Sequence, residues 1–304
     1  MVNKQIDELL GRIGRDLNQT SFPVVHNGGL VRPGPDSVVF HPPGEKGNYE
    51  QQRPRASRSA TATRQWPEGW ARQAGPRPTL RSWTARPPAS LAYDDAGRDG
   101  ALDQLMVAYP GTKAMKTAEG LWLLVPSTLL PGLGRSALFV IAIAPGYQHV
   151  RAWGFWCEGG TGVRWIGPRH TNYPDGSVCA FDSQDRTWTF GNSLVTLADI
   201  YSVWAVRHLY LERFGSWPGP QSSSHPYERL MEHRDDEHCS CGQPGRRYGE
   251  CCKSADLQLN RCALAIDFLG WIQFSERNPP QSVVRLALEQ SNHPPLIACI
   301  SGAR

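Results

Sequence analysis

Four of the eight cysteines in this 304-residue sequence fall within 14 residues, as Cys239-Ser-Cys241 and Cys251-Cys252. In a reducing compartment, cysteines spaced this closely point to metal rather than to disulfides. Gly242, Pro244 and Gly245 in the intervening loop permit the tight turns that bring four thiolates to one point. Zinc favours four-coordinate tetrahedral thiolate sites. A closed set of four leaves no open position for water, so the expected role is structural. Arg246, Arg247 and Lys253 would offset the site's negative charge, and His238 is an alternative ligand.

A second group lies in Arg169-His-Thr-Asn-Tyr-Pro-Asp-Gly-Ser-Val-Cys179. Pro168, Pro174 and Gly176 make this an irregular loop, the kind of segment on which rigid scaffolds display reactive groups. The Cys179 thiolate would be a nucleophile. The Asn172 amide would donate a hydrogen bond to the oxyanion of a tetrahedral intermediate, an effect worth roughly 3–4 kcal/mol in acyl-transfer enzymes. His170 would act as a base or only pin the backbone. On residues alone, Cys179 is either this nucleophile or a buried structural thiol. Cys157, Cys262 and Cys299 sit in apolar surroundings and read as small hydrophobes.

The elements around these groups follow from hydrophobic pattern. Ile6, Leu9, Leu10, Ile13 and Leu17 predict a short amphipathic helix over 4–17. The pattern is lost from 21 to 50, apart from a short strand at Val38–Phe40. A helix is expected near 101–109. Strands are expected from Gly120, over Ala137–Pro145 as a central strand, and from His149. Their short connections suit an antiparallel meander. A long helix is expected over 194–214, with Ser193 as its N-cap and Gly215 as its stop. Leu197, Ile200, Tyr201, Trp204, Leu209 and Leu211 form its buried stripe. Residues 221–238 read as a polar connector, and 256–275 and 281–290 as two helices.

Composition narrows the class. Hydrophobic residues make up 40% and charged residues 20%, enough for a sizeable core. The net charge of +4 is too weak to demand a nucleic-acid partner. No apolar run approaches the roughly 20 residues of a membrane span. The first 16 residues mix acids among apolar positions and lack a secretory core, so a soluble cytoplasmic protein is expected. Residues 51–90 hold eight arginines against one acid, Glu68, with six prolines and Trp66, Trp70 and Trp83. They read as a flexible basic linker or as a docking arm.

From about 105 to 217 the chain resembles the ubiquitin-conjugating enzyme (UBC) family. In that family a helix and a four-stranded meander lead through a His-Pro-Asn turn to the active-site Cys. Here the turn reads His170-Thr171-Asn172, and Gly176-Ser177-Val178-Cys179 matches the family's Gly-x-Ile/Val-Cys. Ala144-Pro145 and Tyr147 match the Pro and Tyr at the end of its second strand. Thr171 replaces the middle Pro, and the Asn172–Cys179 gap is one residue shorter than usual. These departures suit the divergent bacterial branch of anti-phage CBASS-type operons, beside nucleotide cyclases. The cysteine cluster resembles the SEC-C zinc motif, Cys-x-Cys-Gly followed by a basic-aromatic stretch and Cys-Cys, with one extra residue in its middle.

The resemblance implies an α+β fold. A UBC-like four-stranded meander with flanking helices would occupy 101–220. An extension would occupy 1–100, and a small four-cysteine zinc module with helices 221–304. It implies an acyltransferase that carries a protein C-terminus as a thioester on Cys179. Asn172 would stabilise the oxyanion, His170 would order the turn, and Asp182 or Asp185 would orient the incoming amine. The acyl donor would be a ubiquitin-like protein or a nucleotide cyclase C-terminus. No nucleotide-binding motif is present, so a partner must activate the carboxylate. The alternative is a non-catalytic adaptor. A basic, zinc-containing nucleic-acid binder is weaker, since the basic segment lies far in sequence from the cysteines.

Overall fold

The most apolar run of the sequence becomes the middle of the sheet. In the computed structural model all eight residues of β5 (Ala137–Ala144) are buried. It lies between β4 (Leu121–Ser127) and β6 (His149–Glu158), with Leu123 opposite Ile141 and Val140 opposite Trp153. β3 (Lys113–Lys116) and β7 (Gly162–Trp165) form the edges of a five-stranded antiparallel meander in the order β3-β4-β5-β6-β7. The structure describes residues 7–8, 10–15, 24–26, 29–31, 95–127, 135–144, 149–158, 162–180, 188–190 and 192–221. It also describes 223–299 apart from 224, 242–244, 292 and 297–298.

The sheet therefore has one strand more than the four expected. β3 is four residues long and begins and ends on exposed lysines. Such a strand has almost no hydrophobic signal, and its lysines blunt an open sheet edge.

Both faces of the sheet are covered. Leu121, Leu123, Val125, Phe139, Ile141 and Trp156 face α2 (Asp95–Ala108) and α3 (Leu194–Phe214). Trp122, Leu124, Leu138, Val140, Trp153 and Phe155 face α7 (Gln281–Glu289) through Val283, Leu286 and Ala287. Burial on both sides explains why β4 and β5 are apolar without alternation. Gly154 lies where a Cβ would come 2.7 Å from the Trp204 ring, so the missing side chain lets α3 approach β6. Ser193 accepts from the Val195 N–H at the start of α3, and Gly215 ends it in the left-handed conformation. Both caps are those read from the sequence.

Other elements differ. Residues 7–8 and α1 (residues 10–15) are the described parts of the expected N-terminal helix, and Leu10 and Ile13 enter the first core. β1 (Val24–His26) and β2 (Gly29–Val31) form a hairpin where no pattern was expected. Strands of three residues are too short to show alternation. The Val38–Phe40 strand, the Arg-rich segment 51–90 and Pro145 and Tyr147 lie outside the described residues.

The polar connector contains α4 (Pro226–Glu232), with Pro at its first turn and His225 as its cap. The expected helix 256–275 is two helices, α5 (Lys253–Gln258) and α6 (Arg261–Trp271). Asn260 breaks the run because its side chain accepts from the Ala263 N–H and starts α6 afresh. Cys157 and Cys262 are exposed, against expectation, and only Cys299 of that trio is buried. Among the described residues, no helix is long and apolar enough to cross a membrane.

One buried acid makes the core pH-sensitive. Asp199 of α3 accepts from the Tyr109 hydroxyl at 2.5 Å. Burial pushes its carboxyl from 3.8 up to about 7, although the Tyr109 hydrogen bond opposes the shift. The folded state therefore holds a proton that the unfolded state releases. Stability from this group is full below about pH 4 and is lost as pH rises towards 7. Asp199→Asn keeps an oxygen for Tyr109 and never ionises. It is expected to gain about 1–4 kcal/mol over the unaltered protein in urea melts at pH 8, at roughly 1.4 kcal/mol per pKa unit. The gain should vanish at pH 4, and equal gains at both pH values would refute it.

Candidate functional site

The thiol turn begins where β7 ends. The Ile166 N–H donates to the Gly154 carbonyl, and the chain then leaves the sheet. Thr171 and Val178 pair as an antiparallel bridge. The Asn172 N–H donates to Ser177 O at 2.7 Å, and the Cys179 N–H to His170 O at 3.0 Å. The Val178 N–H donates to Ala152 O at 2.7 Å, docking the returning arm on β6. Residues 170–179 thus close into a hairpin-like turn with Cys179 half-buried on its outgoing arm. Cys179 lies in neither a strand nor a helix.

Three tryptophans peg this turn. Trp153 of β6 donates its indole N–H to Asp175 O at 2.8 Å, Trp165 of β7 to Gly176 O at 3.2 Å, and Trp204 of α3 to His170 O at 2.8 Å. Each bond satisfies an indole N–H and a turn carbonyl together. Gly176 has φ +61°, and a Cβ there would lie 2.9 Å from Asn278 C, Pro279 N and Trp165 Cζ2. Conformation and space both demand glycine. Gly176→Ala is expected to cost about 1–3 kcal/mol, the scale of a side chain forced into a left-handed site, and urea denaturation measures it.

The Asn172 amide braces the backbone just before the thiol. Its Nδ2 donates to Val178 O at 3.1 Å, the carbonyl directly before Cys179, and to Ser177 Oγ at 3.2 Å. Arg151 of β6 also donates to Ser177 Oγ, at 2.9 Å. His170 contributes mainly its backbone, since its carbonyl receives the Cys179 N–H and the Trp204 indole. Its ring lies 3.7 Å from the Trp217 ring, and its Nε2 meets Gln221 Oε1 at 3.1 Å. Burial, with Arg169, His208 and Arg207 nearby, holds the imidazole well below its usual pKa, so it is neutral. Asp182 and Asp185 lie outside the described residues.

The cysteine cluster forms as its spacing predicts. The Sγ atoms of Cys239, Cys241, Cys251 and Cys252 all lie within 4.8 Å of one another. Cys241 and Cys251 are 3.5 Å apart, and Cys251 and Cys252 are 3.8 Å apart. A tetrahedral ion with ~2.3 Å metal–sulfur bonds needs ~3.8 Å between sulfurs. The four thiols fit one metal ion. Burial and the adjacent thiols push Cys251 up to about 11 and Cys252 higher still. A bound divalent cation reverses that preference by stabilising thiolates. His238 is not one of the four clustered ligands; its backbone bridges Arg247 and helps fold the loop.

Sequence reading did not find the connection between turn and cluster. Arg169, directly before His170, forms a two-pronged ion pair with Glu237, two residues before Cys239. Glu237 is buried and also accepts from the Trp217 N–H at 2.7 Å. Gln221 bridges Glu237, His238 O and Arg169. Burial alone would raise the Glu237 carboxyl, but Arg169, the Trp217 N–H and Gln221 outweigh it and hold the group below its usual range. Arg277 adds a second clamp. It donates to Pro168 O at 2.9 Å, lies 4.1 Å over the Tyr173 ring, and pairs with Glu228 and Glu232 of α4. No spacing rule marks such partners, because they meet only through the fold. Comparison with protein-family models, curated proteins and solved structures returns no match for this chain.

Proposed function

We propose that the chain is a conjugating-type acyltransferase of the ubiquitin-conjugating kind, with Cys179 as its acyl carrier. The observation that carries this reading is the pegged turn. It holds a half-buried thiol on a loop, with the Asn172 amide against the carbonyl just before it. In the first step the Cys179 thiolate attacks an activated protein C-terminus. A carbon–sulfur bond forms to Cys179, and the donor's leaving group departs. In the second step an amine attacks the thioester, and in the bacterial branch the protein modified is a nucleotide cyclase. A carbon–nitrogen bond forms, the Cys179 thiolate leaves, and the amine's proton passes to base or solvent. Thioester exchange is nearly isoenergetic, so positioning and oxyanion stabilisation supply most of the catalysis.

The test uses a short peptide with a C-terminal thioester as the probe. Intact mass is expected to show one adduct on Cys179, ahead of the exposed Cys157 and Cys262, which excess thiol removes and free lysine discharges. Labelling spread evenly over the exposed thiols would overturn the reading. A second reading, a non-catalytic adaptor, is favoured by one observation. Both protons of the Asn172 amide are already engaged within the turn.

Zinc is the proposed occupant of the cysteine cluster, as a structural ion in a SEC-C-like module. One equivalent per chain is expected by elemental analysis. Cys251→Ser should lower that to near zero and loosen 235–258 while leaving the sheet intact, as hydrogen exchange would report. Protein purified without zinc, iron or any other ion would exclude the proposal.

A further inference from the structure

We infer that the cysteine cluster is a redox switch for the thiol turn. A peroxide converts its four thiolates into two disulfides, the metal leaves, and the turn that holds Cys179 loosens. The inference rests on the metal proposed for the cluster and is independent of what Cys179 carries.

The sulfurs are placed for the chemistry. Cys241 is exposed, and the half-buried Cys251 lies 3.5 Å from it, so an oxidant reaches one thiolate with a second beside it. Arg246 donates to Glu250 O at 2.7 Å, one residue before Cys251, which sets a cation near that thiolate. The Cys241 thiolate attacks the peroxide, whose O–O bond breaks, and leaves a sulfenic acid and hydroxide. The Cys251 thiolate then attacks that sulfur. A sulfur–sulfur bond forms and a second hydroxide leaves. Two sulfurs give up two electrons, one peroxide takes them, and two solvent protons turn both hydroxides to water. Cys239 and Cys252, within 4.8 Å of each other, consume a second peroxide in the same way. The neighbours Cys251 and Cys252 do not pair, because adjacent Cα atoms stand ~3.8 Å apart and an unstrained disulfide spans at least ~4.4 Å. Zinc is held by thiolates, so the ion departs as they are consumed.

The oxidised cluster cannot keep its present shape. The Cys241–Cys251 gap must close from 3.5 Å to ~2.0 Å. Cys239, drawn towards Cys252, lies two residues from Glu237 on the arm that reaches the thiol turn. Gln221 spans the junction. Its Nε2 donates to His238 O at 2.8 Å and to Glu237 at 3.2 Å, and its Oε1 accepts from Arg169 at 2.9 Å and meets His170 Nε2 at 3.1 Å. Glu237 also holds Arg169 in the two-pronged pair. A shift of the 237–239 arm therefore moves the partners of both residues that begin the turn. His170 O is the acceptor for the Cys179 N–H, so the disturbance ends at the thiol.

The test uses the full chain with Cys157→Ser and Cys262→Ser, which removes the two exposed lone thiols. Two equivalents of hydrogen peroxide are expected to release one metal ion per chain. Peptide mass mapping should find Cys241 joined to Cys251 and Cys239 to Cys252. Hydrogen exchange at the Asn172, Val178 and Cys179 amides should speed up about tenfold, within the roughly 5- to 150-fold range of coupling between two sites. Dithiothreitol with added zinc should reverse all three changes. Cys179→Ser in the same background keeps peroxide off the turn itself and should show the same acceleration. Arg169→Met with Glu237→Leu should lose its metal equally and show no acceleration, which separates transmission through the ion pair from general damage. Cluster thiols that stay reduced, or two disulfides with unchanged exchange in the turn, would overturn the switch alone. A chain purified without metal would overturn the metal step and the zinc proposal together.

Discussion

Cys179→Ala is expected to abolish both the thioester adduct and transfer to an amine while the turn stays folded. The turn is held by backbone bonds and by the indoles of Trp153, Trp165 and Trp204. Cys179→Ser should trap a more stable ester. Asn172→Ala should leave adduct formation largely intact and slow aminolysis by about 10²-fold, the effect of losing one oxyanion donor. The Asn172 amide also braces the turn, so a rate loss alone does not separate the two roles. Ser177→Ala does. It removes one acceptor of that amide and leaves the amide in place. If Asn172 serves the oxyanion, Ser177→Ala keeps most of the transfer rate while Asn172→Ala loses it. If Asn172 only braces the turn, both variants slow transfer alike and both raise the rate of Cys179 alkylation. Full transfer in Cys179→Ala would end the enzyme reading.

Much of this architecture is legible because local signals agree with the fold. β5 is an unbroken apolar run, and α3 carries its own cap and stop, so both are read from sequence nearly to the residue. The cysteine cluster is legible for a different reason. Its ligands are close in sequence, so spacing alone brings four sulfurs together. β3, the β1–β2 hairpin and α4 are invisible because three to seven residues cannot establish a period. The pegs and clamps of the thiol turn fail for a deeper reason. Trp204, Glu237 and Arg277 lie 34, 68 and 109 positions from their partners His170, Arg169 and Pro168. One general signal was available. A chain with eleven tryptophans has many indole N–H groups that favour acceptors, and an irregular loop beside the sheet has carbonyls to offer.

The buried ion pair joining the thiol turn to the cysteine cluster carries the other large effect. Glu237→Ala leaves the Arg169 guanidinium without its carboxylate in a site where both side chains are buried. Breaking such a pair from one side costs about 3–5 kcal/mol, because a desolvated charge remains. The damage should reach in both directions. Arg169 precedes His170, whose carbonyl holds Cys179, while the Glu237 carbonyl accepts from the Tyr248 N–H within the cluster loop. Glu237→Ala and Arg169→Ala are therefore each expected to speed alkylation of Cys179 and to weaken metal retention. Arg169→Met with Glu237→Leu removes both charges and fills the space. It should recover most of the stability lost in either single variant, as apolar replacement of a buried pair commonly does. The pH dependence has a definite sign. The Glu237 carboxyl is held below its usual range in the folded state, so its contribution is present above that range and is lost as pH falls through the folded value. Acid should therefore loosen the turn and the cluster loop together in the unaltered protein, and the Arg169→Met/Glu237→Leu protein should lack that step. Independent melting of the two regions in urea, each insensitive to Glu237→Ala, would show that the ion pair does not couple them.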